Sequence, residues 1–453
     1  MFRNSISRLW HLGASLFLIV AAVDVARAAA RPPNIVFILA DDLGWADVAF
    51  HDGSAPTPHL DRLAREGVEL TQHYVAPVCS PTRAGFMTGR LWSRFGVFAV
   101  EQKRCLPWDT VTLPRALKQA GYDTALIGKW HLGAKREWGP RHYGFDHTYG
   151  SFAGGVGPYE HLYKRGPYSK TWHRNGEYLT DEGHVTDVIT AEAVSWIQAR
   201  REAPYFLYLP FTAPHLPVME PAEWLAKVPA GTKGEVRRHY VAAIMHFDDA
   251  VGRVLAAIER TGRRENTLVV FSSDNGGSQR ENNNDLKYPG GPYPEGPMPG
   301  QNHPLRAGKG SVYEGGIRTP TIAWWPGRLA PGKIRDPAQI TDWMPTFCAL
   351  AGYRPERDLK WDGVNLWPRL TGQVSRLEPR VIYTPFSRST GLRDGDWKLV
   401  VTRKGDQAEL FNLERDPQEA NDLARDMPDR VARMRERLAE AARADRDAVV
   451  KEP

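Results

Sequence analysis

Asp41, Asp42, Asp274 and Asn275 offer oxygen ligands only, and each pair directly follows an apolar run, "NIVFILA" or "TLVVFSS". Three carboxylates and one amide brought together repel one another unless a cation neutralises them, and an all-oxygen set suits a hard ion such as Ca²⁺ or Mg²⁺. Taken alone, Asp41 and Asp42 read as a helix cap and "SDNGG" as a turn; the two pairs together point to a metal. Cys79 stands just before Ser80-Pro81-Thr82-Arg83. Pro81 suits the first turn of a helix, which puts Cys79 at a helix N-terminus, where partial positive charge favours an anion or an activated nucleophile. Arg83, one turn on, projects from the same face. This pattern describes a reactive thiol beside an anion hole and a buried structural cysteine equally well. The chain has three cysteines, Cys79, Cys105 and Cys348, so internal pairing leaves one over.

The elements that must position these residues are four β-rich apolar runs. Asn34 to Ala40 leads into Asp41-Asp42, Thr124 to Gly128 into Lys129 and His131, Tyr205 to Phe211 into His215, and Thr267 to Ser273 into Asp274-Asn275. Each reads as a buried strand with polar residues at its carboxyl end. Helical patterns separate them, at Pro58 to Val68, Thr112 to Tyr122 and Arg237 to Gly262. The alternation predicts an α/β fold with a doubly wound, mostly parallel sheet flanked by helices, whose ligands bind beyond the carboxyl ends of the strands. The polar residues then converge on one site. Gly139 to His184 and Gln279 to Gly310 are dense in Gly, Pro, Tyr and Asn and read as long loops lining a cleft. Beyond about Arg376, "RVIYTPF", "WKLVVT" and "AELFNL" read as short antiparallel strands, followed by a charged helix from about Pro428 to Asp447.

At the N-terminus, Arg3 and Arg8 precede the apolar run Leu12 to Val23 and the small-residue sequence Ala26-Arg27-Ala28. This predicts a signal peptide over 1–28, and so a secreted or periplasmic protein with no stable membrane anchor. The remainder divides into a catalytic α/β domain, 29–375, and a smaller C-terminal subdomain, 376–453. The whole chain of 453 residues carries a formal charge of +6. That mild excess tolerates an anionic substrate without demanding one. Nucleic-acid binding has no support, because no basic run with interleaved aromatics, zinc-type Cys/His spacing or internal repeat is present.

"CSPTRAGFMTG", Cys79 to Gly89, resembles the signature of the formylglycine-dependent (type I) sulfatases of the alkaline phosphatase superfamily, and "GYDTALIGKWHLG", Gly121 to Gly133, resembles that family's other signature. "TPHLDRLAREGV", "SDNGG", "GKGSVYEGGIRTP" and "ELFNLERDPQEANDLA" extend the likeness over nearly the whole chain. The resemblance implies that a formylglycine-generating or equivalent maturation enzyme converts Cys79 to formylglycine. It implies that Asp41, Asp42, Asp274 and Asn275, with the matured Cys79, hold one divalent cation, Ca²⁺ by family analogy. Arg83 would support the diol, Lys129 and His131 would lie near sulfate and nucleophile, and His215 and Lys309 would contact the sulfate and its bridging oxygen. His303 and Arg306, near Lys309, are further candidates for substrate contact, while His246 reads as helix packing. Conversion of Cys79 leaves Cys105 and Cys348, whose pairing the sequence leaves open.

The expected activity is hydrolysis of sulfate esters, on carbohydrates such as glycosaminoglycan-type or other sulfated glycans rather than on a small phenol. The Tyr- and Trp-rich loops and the likeness to arylsulfatases and glycosaminoglycan sulfatases support that preference. Two other readings stay open: a phosphate or phosphonate monoester hydrolase on the same fold, and a non-catalytic binder of sulfated glycans in which Cys79 is unmodified. The absence of a second His/Asp metal constellation disfavours a two-metal phosphatase.

Overall fold

All four apolar runs become strands at the centre of one large sheet. A computed structural model describes residues 32–450 apart from 200, 403 and 406. The expected signal segment, 1–28, lies outside the described residues. In chain order the strands are β1 (Asn34–Ala40), β2 (Val68–Leu70), β3 (His73–Tyr74), β4 (Asp123–Lys129), β5 (His147–Ser151), β6 (Trp172–Arg174), β7 (Glu177–Tyr178), β8 (Tyr205–Pro210), β9 (Thr267–Ser273), β10 (Ile322–Trp324), β11 (Gly332–Ile334), β12 (Ala338–Gln339), β13 (Val381–Pro385), β14 (Ser389–Asp394), β15 (Trp397–Thr402) and β16 (Ala408–Asn412). The main sheet runs β11-β2-β10-β9-β1-β8-β4-β5-β6-β7. β1 pairs in parallel with β8 and β9, and β4 in parallel with β8 and β5. Register puts Leu39 beside Pro210 and Ala40 beside Ser273, so the carboxyl ends of β8, β1 and β9 lie level.

Side chains alternate across the pleat, and both faces of the sheet are covered. Ile35, Phe37 and Leu39 face one apolar cluster with Phe86, Trp343 and Phe347; Val36, Ile38 and Ala40 face another with Val241, Phe247 and Val251. Each fully buried aliphatic or aromatic side chain contributes roughly 1.5–3 kcal/mol, which outweighs the short length of the strands. The Phe86 ring lies 4.1 Å from Phe37 and 5.0 Å from Tyr208, anchoring the helix Cys79–Thr88 to the sheet with Cys79 at its first residue. The close approach of β4 to β8 requires glycine at Gly128 (φ +129°): a Cβ there would lie 1.9 Å from the Pro210 carbonyl oxygen.

Parts of this architecture differ from the sequence reading. Gly139 to His184, expected as a loop, carries β5, β6 and β7, which extend the main sheet. These strands are two to five residues long and lack a continuous apolar run; β5 forms on the edge of β4, β6 on β5 and β7 on β6, pairing that local pattern does not carry. The C-terminal sheet is antiparallel in order β13-β14-β15-β16, with β14, "STGLRD", the member that the pattern missed. The charged C-terminal helix stops at Ala441, followed by a single tight turn at Ala442–Ala444. Tyr383, Leu392, Leu399 and Leu410 of the C-terminal sheet join the same apolar cluster as Phe37 and Phe86. Cys79, Cys105 and Cys348 are all buried and free, so Cys105 and Cys348 form no disulfide.

Candidate active site

The strand ends deliver their polar residues to one buried point. Cys79 is buried, and its thiol donates to Asp41 Oδ1 at 3.3 Å. Arg83, fully buried one turn along, donates from Nη1 to the Lys129 carbonyl and from Nη2 to Asp274 Oδ2, each at 2.7 Å. Lys129 Nζ donates to Asp41 Oδ2 at 2.5 Å, and Lys309 Nζ to Asp42 Oδ2 at 2.7 Å. His215 Nδ1 lies 2.5 Å from the Leu216 carbonyl, so Nδ1 carries the proton and Nε2 turns its lone pair toward the site, 3.6 Å from Asp42 Oδ2. His131 lies beside them, with Nε2 3.4 Å from the Gln102 amide nitrogen and a buried, unpartnered Nδ1. Thr82 locks the helix to β9 by donating to the Asp274 carbonyl at 2.7 Å and accepting the Ala76 N–H at 2.8 Å. Asp42 and His131 both hold left-handed backbone, at φ +65° and +58°. Such strain in non-glycine residues persists where the surroundings fix it, most often at functional sites.

Electrostatics distinguish the carboxylates. Burial alone would raise Asp41, but Lys129, Arg83 and Lys309 outweigh it and hold the carboxyl below its ordinary value. Asp42 is pushed up to about 7, chiefly by burial, with Asp41, Glu281 and Asp274 adding repulsion that Lys309 only partly offsets. Asp274 is raised by burial and by Asp41. Burial raises the Cys79 thiol well above its usual range, and Asp274 and Asp41 raise it further. Of the two readings the sequence left open, a reactive thiol and a buried structural cysteine, this environment favours the second for an unmodified Cys79: burial and then the carboxylates keep the thiol neutral, and a neutral thiol is a poor nucleophile. His131 and His215 are both held well below the usual imidazole value, by burial first and then by the neighbouring cations.

The donor set fits a hard cation. Asn275 Nδ2 donates to Asp42 Oδ1 at 2.7 Å, while its own Oδ1 is buried without a partner. A buried acceptor left unpaired costs about 1–3 kcal/mol, and a cation among these oxygens removes that cost together with the repulsion on Asp42. Asp41, Asp42, Cys79 and His215 each offer a ligand atom, all within 4.8 Å of one another.

The sulfatase family profile matches residues 33–353, and the profile of the N-sulphoglucosamine sulphohydrolase C-terminal region matches 307–444. The chain belongs to the sulfatase family. It is 36% identical over 386 residues to N-acetylgalactosamine-6-sulfatase of Mus musculus, covering 79% of this chain and 70% of the relative. It is 30% identical over 392 residues to the uncharacterized sulfatase YdeN of Escherichia coli (strain K12), covering 75% and 66%. The crystal structure of Ps i-CgsB in complex with k-i-k-neocarrahexaose superposes with a TM-score of 0.81 at 29% identity, over 93% of this chain and 95% of that one. Phosphonate monoester hydrolase of Agrobacterium radiobacter, at 20% identity and a TM-score of 0.62 over 91% and 96%, shares the fold. This sulfatase is thus a sulfuric ester hydrolase of the alkaline phosphatase superfamily.

Sequence reasoning missed several residues at the sulfatase site. Glu281 accepts a second bond from Lys309 at 2.7 Å and one from Ser278 at 2.9 Å, and is held down to about 2: burial opposes this, and the charge of Lys309 with the bonds from Lys309 and Ser278 prevails. Gln102 reaches His131 and donates to the Tyr163 hydroxyl at 3.0 Å. Glu281 and Tyr163 lie in the two segments read as cleft-lining loops, but no local pattern singles out these residues, Ser278 or Gln102. Arg306 does not face this site: it bonds the Glu419 carbonyl at 3.0 Å and Glu409 at 3.2 Å, and covers the Tyr313 ring. His303 is exposed. His246 is not simple packing: it is a buried member of an ionic cluster, bonded to Glu220 at 2.8 Å. Among the described residues no helix is long and apolar enough to cross a membrane.

Proposed function

We propose that this sulfatase hydrolyses sulfate esters on glycans, that Cys79 works as formylglycine, and that Asp41, Asp42, Asp274 and Asn275 hold a Ca²⁺ ion with the matured residue 79. The observation that carries this reading is the placement of Cys79, buried with its sulfur 3.3 Å from Asp41 Oδ1 and within 4.8 Å of Asp42 and His215, where burial first and then Asp274 and Asp41 keep a thiol protonated. The hydrate of formylglycine supplies a geminal diol, one hydroxyl to attack sulfur and a second whose deprotonation releases sulfate. The cation, when bound, makes that hydroxyl more acidic and draws charge from the sulfuryl oxygens.

The side chains supply the rest. Arg83, fixed between the Lys129 carbonyl and Asp274, holds its charge beneath residue 79 and keeps Asp274 oriented. Lys129 and Lys309 both stay protonated, since Asp41 and Asp42 beside them overcome the cost of burial. They spread the charge that develops on the transferring group. His131, neutral and buried beside residue 79, is suited to take a proton from the second hydroxyl. His215 is also neutral, with its bare Nε2 toward the site. To serve as donor to the leaving oxygen it must gain a proton at Nε2, which the negative charge of the arriving ester favours.

Glycan preference rests on the relatives, an N-acetylgalactosamine-6-sulfatase and a structure holding a carrageenan oligosaccharide. Residues 29–375 are assigned as the catalytic domain and 376–453 as a C-terminal subdomain, with 1–28 a signal for secretion or the periplasm. Protein matured in a host with a formylglycine-generating enzyme should turn over 4-nitrophenyl sulfate faster than 4-nitrophenyl phosphate or a matched phosphonate monoester. A higher rate on either phosphorus ester overturns the assignment, and absence of all turnover favours a non-catalytic binder.

A further inference from the structure

A cavity of about 300 Å³ opens against Lys309 and Glu281, and two loops and a hairpin turn build its walls. Val78, just before Cys79, half-exposed Val100 and Phe386 give it an apolar side. Its charged side is Arg280 and Arg388, both exposed. Neither guanidinium has an ion pair or hydrogen bond among the described residues, whereas Arg306 and Arg318, which follow in the same stretch of chain as Arg280, are each paired with a carboxylate. Both arginines ride on anchored backbone. The Arg280 loop is tied by the Met298 N–H to the Glu281 carbonyl at 2.7 Å and the Gly300 N–H to the Ser278 carbonyl at 2.9 Å. The Arg388 turn closes through the Phe386 N–H to the Ser389 carbonyl at 3.1 Å, and docks through the Ser387 N–H to the Phe98 carbonyl at 3.2 Å.

A sulfate ester carries one negative charge, and Lys129, Lys309 and Arg83 already serve the place where its sulfur must sit. Two more unpaired guanidiniums have no work to do for a singly charged substrate. Lys309 joins the reacting centre to this cavity, so the sugar that bears the ester, or its neighbour, enters there. Its size is at the lower end of small-molecule pockets, about 300–1,000 Å³. A planar guanidinium fork matches a carboxylate or a sulfate, and the apolar wall suits the C–H face of a pyranose.

We propose that Arg280 and Arg388 form an anion subsite beside Lys309 that reads a second negative group on the glycan, a further sulfate or a uronate carboxylate. The proposal rests on the sulfatase reading and extends it to a class of multiply charged glycans. The test compares kcat/KM of the full-length matured protein on four probes. These are 4-nitrophenyl sulfate, N-acetylgalactosamine 6-sulfate, N-acetylgalactosamine 4,6-disulfate, and a disaccharide of N-acetylgalactosamine 6-sulfate linked to glucuronic acid. The enzyme should favour at least one of the two dianionic probes over the singly sulfated sugar by about 10-fold or more, chiefly through KM, the scale expected when charge-assisted hydrogen bonds to substrate are lost or gained. Which probe is favoured tells a second sulfate from a uronate. In the Arg280→Ala/Arg388→Ala variant that ratio should fall to near one, and Arg280→Lys/Arg388→Lys should restore part of it. The proposal is overturned if the wild type has no such preference, turnover of no sugar probe included, if the preference survives in the double alanine variant, or if all probes lose equally. Failure on 4-nitrophenyl sulfate as well would instead bring down the sulfatase reading itself.

Discussion

Around His246 the charges, buried at Glu220 and half-exposed at Asp187 and Arg253, close on one another. Its Nδ1 lies 2.8 Å from Glu220 and its Nε2 3.3 Å from Asp187, while Arg253 holds the other Asp187 oxygen at 2.9 Å. Trp224 stacks on the ring at 4.7 Å. Burial works against the imidazolium, yet the bonds to Asp187 and Glu220 push His246 up to about 9. Two carboxylates there meet two cations, and a single proton completes the balance. Around Cys79 a comparable set of buried groups does not close. Asp42 drifts up to about 7, and Asn275 Oδ1 has no partner. Protonating Asp42 would relieve the repulsion but leave Asn275 unsatisfied, whereas a divalent cation resolves both. Buried charge alone therefore does not mark a reaction centre; what sets the Cys79 cluster apart is that a repelled carboxyl and an unpaired acceptor meet at one point.

The comparison breaks first at residue 79. Cys79→Ala should lower turnover of 4-nitrophenyl sulfate by more than about 10³-fold while leaving thermal unfolding nearly unchanged, because neither helix start nor sheet depends on the thiol. Mass spectrometry of the wild-type peptide should find an aldehyde in place of the thiol, and an intact thiol in active protein would falsify the account of this cluster. Next is the cation. Asn275→Ala should cost about 10²-fold in kcat. Chelation should inactivate the wild type and Ca²⁺ should restore it, with Tm rising as Ca²⁺ is added. A wild type whose activity and Tm ignore both chelator and Ca²⁺ would put the two clusters in the same class.

His246→Leu tests the opposite side. Leaving buried Glu220 without its imidazolium should destabilise the fold by about 1–3 kcal/mol, with half-exposed Asp187, which keeps Arg253, adding little, and kcat should change less than about 2-fold. A large fall in kcat at unchanged stability would make this cluster part of the chemistry. The smallest expected effect is its pH dependence. Because His246 is raised from 6.5 to about 9 on folding, its contribution is complete below about pH 6.5 and is lost as pH rises through about 9. The Tm gap between wild type and His246→Leu should therefore narrow between those limits, and a gap that widens would reverse the assignment of charge.

Much of the site was legible because it obeys one rule: ligands of a parallel sheet gather beyond the carboxyl ends of its strands. β1, β4 and β9 are buried on both faces, which makes them continuous apolar runs, and the polar residue that ends each run stands out. Glu281 and Gln102 sit on loops whose path depends on tertiary packing. β5 to β7 and β14 are short and polar, and exist because a neighbouring strand offers its edge. His246 lies within a helix whose apolar pattern gives no sign that two carboxylates from elsewhere in the chain meet it.

The turn Phe386–Ser389 belongs to the C-terminal sheet yet borders the cavity at Lys309, docked there by a backbone bond to Phe98. Shape and charge beside Lys309 are thus carried by a segment separate in sequence from the proposed nucleophile and cation ligands. Residues 386–388 lie between β13 and β14 and belong to neither strand, so selectivity has a route of change that does not put the chemistry at risk.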